Sequence, residues 1–329
     1  MTDLLVPKCT LVIRCNNEER HIGRLLHGVM QQTLREVEIV IVDSGSTDGT
    51  ITVAERFPTR ILSIKPEDFS FGHSLNAGCR AAKGEFIVIA SGHVYPIYKD
   101  WLAKLLEPFK DPKVALVYGK QRGGKTTTFS EHQVFTKWYA DRSNFKQDHP
   151  FCNNANAAIR RKLWKQLPYN EELTGLEDID WAKRAMKSGY TITYVADAEV
   201  VHVHNETSLQ TYNRYRREAI ALKRISPDEH FHFGDFLRLF LTNVISDYGQ
   251  ALRDGQLGRQ WLAILRFRLM QFWGTYRGFA HRTQVTSGLK RTFYYPNHRG
   301  RQEDIHPQRL EHRLLIDYQT GERLYREDR

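Results

Sequence analysis

The chain has 329 residues, 41% apolar and 26% charged, with 48 Lys/Arg against 38 Asp/Glu and a formal charge of +10. That balance excludes a disordered or fibrous chain, and the length suits one large domain or two smaller ones. No run of about 18 apolar residues predicts a membrane-spanning helix, and Met1-Thr2-Asp3-Leu4 does not open a signal peptide.

Thr10–Cys15 reads as a strand, and Ile22, Leu25, Leu26, Val29 and Met30 then recur at helical spacing. Val37–Asp43 is a second, nearly continuous apolar strand, followed by the turn Ser44-Gly45-Ser46 and a helix from Thr47-Asp48. Arg60–Ile64 is a third strand, a helix covers Ser74–Ala82, and Glu85–Ala90 is a fourth strand. A helix over Trp101–Phe109 leads to a fifth strand, Val114–Tyr118. This β-α alternation predicts an α/β fold with a doubly wound, mostly parallel sheet. Ligands of such sheets bind beyond the carboxyl ends of the strands.

Beyond Arg122 the pattern turns irregular, at Gly123-Gly124-Lys125 and again over residues 147–156. A helix from Glu177 is followed by two strand-like runs, Tyr190–Val195 and Glu199–His204, and the chain reads as helical from Leu209. The expected division is residues 1–226 as the sheet domain and 227–329 as a helical extension. Most of the charge lies late: residues 210–299 hold 15 Lys/Arg against 6 Asp/Glu. Cys9, Cys15, Cys79 and Cys152 lack CxxC spacing, so free thiols in a reducing, cytoplasmic setting are expected.

Polar residues gather at three predicted strand ends: Asn16-Asn17-Glu18-Glu19, Asp43 to Thr50, and Ser91-Gly92-His93. Helix capping by Asn17 and Thr47 would explain one polar residue per turn. It does not explain an acid at the end of two adjacent strands. The runs Val12–Glu19 and Ile41–Thr50, with Leu75-Asn76-Ala77-Gly78, Ala82–Phe86, Asn156–Arg161 and Gly175–Asp180, together resemble family-2 glycosyltransferases with the GT-A nucleotide-sugar-binding fold. The likeness runs in order over roughly residues 8–226.

The resemblance implies that Glu18 and Asp43, with Asn16 and Ser44, contact the nucleoside of the donor, and that Lys83, Ser91, Gly92 and His93 line the same site. A carboxylate there can accept base N–H or ribose hydroxyl groups. It implies that Asp178 is the general base on an acceptor hydroxyl, with Glu177 and Asp180 in support. Two acids opening a helix are also favoured by its dipole alone. Asn153, Asn154 and Asn156 offer donors and acceptors for an acceptor sugar. Gln121 and Arg122 could reach a phosphate.

The family usually carries Asp-x-Asp after the fourth strand, where this chain has Ser91-Gly92-His93. Two routes stay open at this stage. The resemblance implies a divalent metal, Mg²⁺ or Mn²⁺, but without the acids His93 would suit a softer ion such as Zn²⁺ or Ni²⁺, with His204 and, two residues back on one strand face, His202 as companion ligands. Alternatively no metal is needed, and Lys or Arg neutralises the leaving group. The expected partners are a nucleotide-sugar donor and a glycan or polyprenyl-linked acceptor. No nucleic-acid motif appears despite the basic charge. The late amphipathic series, Phe233 to Ile245 and Trp261 to Trp273 with Arg259, Arg266, Arg268 and Arg277, reads as a homodimer contact or as a basic face on an anionic membrane. The latter would place the protein on the inner face of the cytoplasmic membrane. The reading is an inverting transfer of one sugar; the alternative is an inactive nucleotide-sugar-binding regulator.

Overall fold

The computed structural model describes residues 7–281 and 313–319. Strand β1 (Cys9–Cys15) leads through α1 (Ile22–Met30) to β2 (Val37–Asp43), then through α2 (Thr50–Ala54) to β3 (Thr59–Ser63). Helix α3 (Phe71–Ala81) returns the chain to β4 (Phe86–Ser91). These four strands pair in parallel in the order β3-β2-β1-β4. Alternate residues of each strand face opposite layers. Leu11, Ile13, Ile39, Ile41 and Val88 pack under α1 with Leu25 and Leu26. Val12, Val40, Ile87 and Ile89 pack on the other face with Leu75 of α3. Both faces are covered, so the strands are apolar throughout.

The other half of the sheet runs in mixed directions. It comprises β5 (Val94–Pro96), β6 (Val114–Gly123), β7 (Asn144–Gln147), β8 (Asn156–Arg160) and β9 (Thr191–His202), with α4 (Trp101–Leu106) between β5 and β6 and α5 (Phe129–Trp138) between β6 and β7. The antiparallel strand β8 is inserted between β4 and β6, and β6 then pairs with β9 in parallel. Among the described residues the sheet has four parallel and four antiparallel pairings. The parallel part is the part expected from alternation. The reversal comes after α5, where the connection to β8 contains only the short β7 and no crossover helix.

At this junction Asn156 is fully buried. Its Oδ1 accepts from the Trp101 indole N–H at 2.9 Å, and its Nδ2 donates to Lys120 O and Ala198 O. One amide therefore ties β8, β6, β9 and α4 together. The two runs expected as separate strands, 190–195 and 199–204, form the single strand β9, which stays paired with β6 across a register shift at Gly119/Gln121.

Helix α6 (Arg161–Gln166) and helix α7 (Glu177–Lys187) cover the second face, where Trp164, Trp181 and Ala185 enter the core. Then follow α8 (Ser208–Ile225), α9 (Phe233–Arg253) and α10 (Leu257–Phe279). Helix α10 lies tight along α8: a Cβ on Gly278 would stand 2.5 Å from both Ala219 Cβ and Arg216 O. Arg268, expected on a basic face, is instead buried. Its guanidinium donates to both carboxylate oxygens of buried Asp247, at 2.7 and 2.8 Å, and Asp247 also accepts from Ser130 Oγ of α5. Phe233, Leu237, Leu241 and Ile245 form an exposed stripe on α9.

The stretch 227–329 is not helical throughout. Residues 313–319 return to the sheet: Leu315 bridges to Tyr98, Ile316 N–H donates to Ile97 O, and Ile316 and Tyr318 are buried. The Tyr318 hydroxyl donates to Pro96 O at 2.5 Å. Arg282, Lys290, Arg291 and Arg299 of the basic segment lie outside the described residues.

Candidate active site

The carboxyl ends of β1, β2 and β4 open onto a cleft of about 980 Å³. Its floor is made by two interlocked loops. Asn16 Nδ2 donates to Ser44 O, Asn17 N–H to Ser46 Oγ, Glu18 N–H to Thr50 Oγ1 and Glu19 N–H to Asp48 Oδ2. In return Thr47 N–H donates to Asn17 Oδ1 and Gly49 N–H to Glu19 Oε2. Asn17 adopts φ 57° to make this exchange. So the polar residues at these strand ends bond largely to one another across the two loops. Helix α2 begins only at Thr50 because residues 44–49 are held in the seam.

The expected donor-side residues separate accordingly. Asn16, Glu18, Ser44, Ser91 and His93 line the cleft. Asp43 does not line it. Its carboxylate is buried and accepts from Gly45 N–H, Ser46 N–H and Ser46 Oγ, which fixes the turn. Gly92 closes the next turn: a Cβ there would stand 2.8 Å from Glu18 Cγ. Lys83 is at the opposite edge. Its backbone N–H donates to Thr10 Oγ1 and Glu38 Oε2 by the amino ends of β1 and β2. The Ala82-Lys83-Gly84 turn is shaped by packing on β1, where a Cβ on Gly84 would collide with the Cys9 backbone.

The far wall is the start of α7, entered through Leu176 at φ 55°. That left-handed backbone is unfavourable for leucine, and it turns Glu177 and Asp178 into the cleft lining. Asp178 Oδ2 accepts from Asn154 N–H at 3.0 Å and Oδ1 from Ile179 N–H at 2.8 Å. Burial, together with the adjacent Glu177 charge, pushes Asp178 up to about 7 despite those bonds and nearby Arg14. Asn154 also donates from its side chain to Glu177 Oε1 at 3.3 Å, so it positions both acids. Asn153 lines the cleft, and its Oδ1 accepts from Ala155 N–H. Asn156 is core, as described above. Asp180 faces along α7 to Arg184 at 2.9 Å and does not line the cleft.

Two arginines complete this wall. Arg14 and Arg217 lie 4.7 and 4.6 Å from the centroid of the Phe71 ring. Both line the cleft. The sequence carried a signal for Arg14, the one charged residue in the apolar run Thr10–Cys15. Arg217 lies among several cations of α8, and nothing in its spacing singles it out.

On the third side, β5 and β9 pair with Val94 opposite His202, and Val203 N–H donates to His93 O. This brings His93, His202 and His204 together, with one ring nitrogen of each within 4.8 Å of the others. Each Nδ1 has its own partner at 2.6 Å: Glu18 Oε1 for His93, Gln121 Oε1 for His202 and Glu131 Oε1 for His204. Glu18 thus orients an imidazole, and Gln121 does the same from β6. Arg122 pairs with Glu199 at 3.4 Å. Burial and the neighbouring imidazoles hold His202 well below the ordinary histidine value. Burial also opposes the charge on Glu131, but His204 and Arg214 outweigh it and bring Glu131 down to about 2.

The profile of the family described as Glycosyl transferase family 2 matches residues 10–167. The O-antigen chain rhamnosyltransferase WbaN of Salmonella anatum is 30% identical over 222 residues, which cover 64% of this chain and 70% of the relative. The chain belongs to glycosyltransferase family 2. RfbN of Salmonella typhimurium, also an O-antigen chain rhamnosyltransferase, is 28% identical over 221 residues, covering 63% of this chain and 70% of that protein. This glycosyltransferase shares its fold with a Pyrobaculum calidifontis mannosyltransferase solved with GDP-mannose and Mn²⁺, at TM-score 0.55 and 19% identity over 89% of each chain. Glucosyl-3-phosphoglycerate synthase of Mycobacterium tuberculosis aligns at TM-score 0.50 and 20% identity over 66% of this chain and 80% of that one. Both are GT-A neighbours of this glycosyltransferase, in which a mixed sheet is followed by C-terminal helices.

Proposed function

We propose that this family-2 enzyme moves one sugar, with inversion, from a nucleoside-diphosphate donor to a hydroxyl of a glycan or lipid-linked acceptor. The observation that carries the reading is Asp178, buried at the cleft wall and fixed by two backbone N–H groups. In the transfer, Asp178 takes the acceptor hydroxyl proton as that oxygen bonds the anomeric carbon. The bond from the anomeric carbon to the diphosphate breaks, and its electron pair leaves on the nucleoside diphosphate. The donor lies along the seam of the 16–19 and 44–48 loops, and Arg14 and Arg217 offset charge beside it. Likeness to the two Salmonella O-antigen chain rhamnosyltransferases supports a rhamnosyl-type donor and a surface-polysaccharide acceptor. A turnover assay with nucleoside-diphosphate sugars and oligosaccharide acceptors tests this. Transfer that survives Asp178→Asn unchanged would overturn it.

A divalent metal on the diphosphate is supported by the three imidazoles of the third wall and by the Mn²⁺ of the mannosyltransferase neighbour. Turnover in excess chelator distinguishes this from a route in which the arginines alone supply counter-charge. Beyond residue 226, the α9 stripe of Phe233, Leu237, Leu241 and Ile245 supports contact with an anionic membrane carrying the acceptor. Among the described residues no helix is long and apolar enough to cross a membrane. Co-sedimentation with anionic vesicles, lost in Leu241→Glu, is the expected result; a concentration-dependent dimer lost in the same variant would indicate a second copy instead.

A further inference from the structure

The three histidines carry a more specific statement than the presence of a metal. Every Nδ1 faces an oxygen: a carboxylate for His93 and His204 and an amide carbonyl for His202. Those oxygens accept, so the protons sit on Nδ1 and the remaining lone pairs sit on Nε2. Yet His202 Nε2 and His204 Nε2 are 3.0 Å apart. Two neutral rings with this tautomer would set lone pair against lone pair. The contact calls for a proton or a metal ion between them, and three converging ring nitrogens favour the metal. Three imidazoles offering nitrogen, each with its other nitrogen anchored, is the arrangement in which outer partners fix the ring tautomer and orientation for a metal. The separation is close to the about 3.3 Å between nitrogens of a tetrahedral site with bonds of about 2.0–2.1 Å.

We infer that His93, His202 and His204 form a three-nitrogen site selective for a divalent transition metal of the Zn²⁺, Co²⁺ or Fe²⁺ class. Glu18, Gln121 and Glu131 are its positioning residues. The donor set contains no ligating carboxylate. Mg²⁺ takes oxygen ligands and keeps its waters, whereas imidazole suits later first-row ions. The set therefore differs in kind from the carboxylate pair the family usually carries, and it disfavours Mg²⁺. Three protein ligands leave positions open on the cleft side, where an ion would supply positive charge. That last role rests on the donor-site reading above; the metal site itself does not.

The test is binding of Co²⁺ to the chelator-treated full chain, read by its visible absorption. Expected are one equivalent of Co²⁺ with the intense bands of a low-coordinate nitrogen site, displacement by one equivalent of Zn²⁺, and no displacement by a large excess of Mg²⁺. His204→Ala should abolish the bands. Gln121→Leu should keep the stoichiometry and weaken affinity about 10–100-fold. Thermal melts of metal-free variants establish that each is folded, and the wild-type competition series does not depend on any variant. Absence of stoichiometric Co²⁺ binding, displacement by Mg²⁺ at comparable concentration, or bands unchanged in His204→Ala each overturns the site. Nucleotide-sugar binding is measured on the same preparations. If the sugar nucleotide still binds while Co²⁺ does not, the transferase reading stands and the metal site falls. If Co²⁺ binds and no sugar nucleotide does, the site stands and the transferase reading falls.

Discussion

Arg14 Nη1 lies 3.9 Å from Glu177 Oε1, so the cation of β1 meets the first acid of α7 on one wall of the cleft. Its charge lowers Asp178 as well, against a larger upward push from burial and Glu177. The proposed base is therefore poised by burial and by two charged neighbours, and each contributes a measurable effect.

Asp178→Asn keeps only one of the two backbone N–H bonds, since an amide has a single oxygen, and removes the proton acceptor. Turnover should fall about 10²- to 10⁴-fold, the usual contribution of a positioned base. Affinity for the nucleotide sugar, measured by calorimetry, should stay within about threefold.

The raised Asp178 value of about 7 fixes two pH trends of opposite direction. As a base the residue must be ionised, so kcat/KM should rise with pH through about 7. For stability, a carboxyl whose folded value exceeds its unfolded one binds more protons when folded. Its contribution is then complete below the unfolded value and is lost as pH rises through about 7. Denaturant melts of wild type minus Asp178→Asn should show that loss. A difference flat between pH 5 and 8 would contradict the assignment.

Arg14→Leu removes a charge that holds Asp178 down. The ascending limb of kcat/KM should move to higher pH, and KM for the donor should increase. A shift to lower pH would show that Arg14 acts mainly by packing on Phe71.

Asn156→Leu should leave the Trp101 indole N–H and the carbonyls of Lys120 and Ala198 without their partner. Unpaired buried polar groups cost about 1–3 kcal/mol each, so a loss of about 3 kcal/mol is expected in chemical denaturation. Asn156→Asp should fare no better, because a carboxylate cannot donate to two carbonyls.

Asp247→Asn should destabilise the helical region by about 3–5 kcal/mol by stranding the buried Arg268 charge. The double variant Asp247→Leu with Arg268→Met should be markedly milder. Equal losses in single and double variants would mean that packing, not charge, is at stake.

The parallel half of the sheet was legible because its strands are apolar on both faces and alternate with amphipathic helices. The antiparallel half was not. β5 has three residues, β7 has four, and β9 continues through Ala196-Asp197-Ala198, where the apolar pattern breaks. At the site, the acids of α7 were visible as a helix start. The roles of Asp43, Glu18 and Gln121 were not, since a polar residue at a strand end looks the same whether it binds a ligand, fixes a turn or orients an imidazole. The three histidines were already grouped as one possible metal site, from the resemblance and the spacing of His202 and His204. The antiparallel β5–β9 pairing that brings them together is announced by no local pattern.

The segment 313–319 bears on the order in which the enzyme is completed. Tyr318 reaches Pro96 across 222 residues of chain. The entropy of closing so large a loop grows only with the logarithm of its length, so distance is no barrier to the contact, but sequence of events is. The segment seats on β5 with residues 97–100 and on α1, and β5 has a place only once β9 is paired. In the chain every described sheet strand precedes residues 313–319. The corner that carries His93 is then the last part of the catalytic sheet to be clamped, and refolding should recover the sheet before it recovers the cleft.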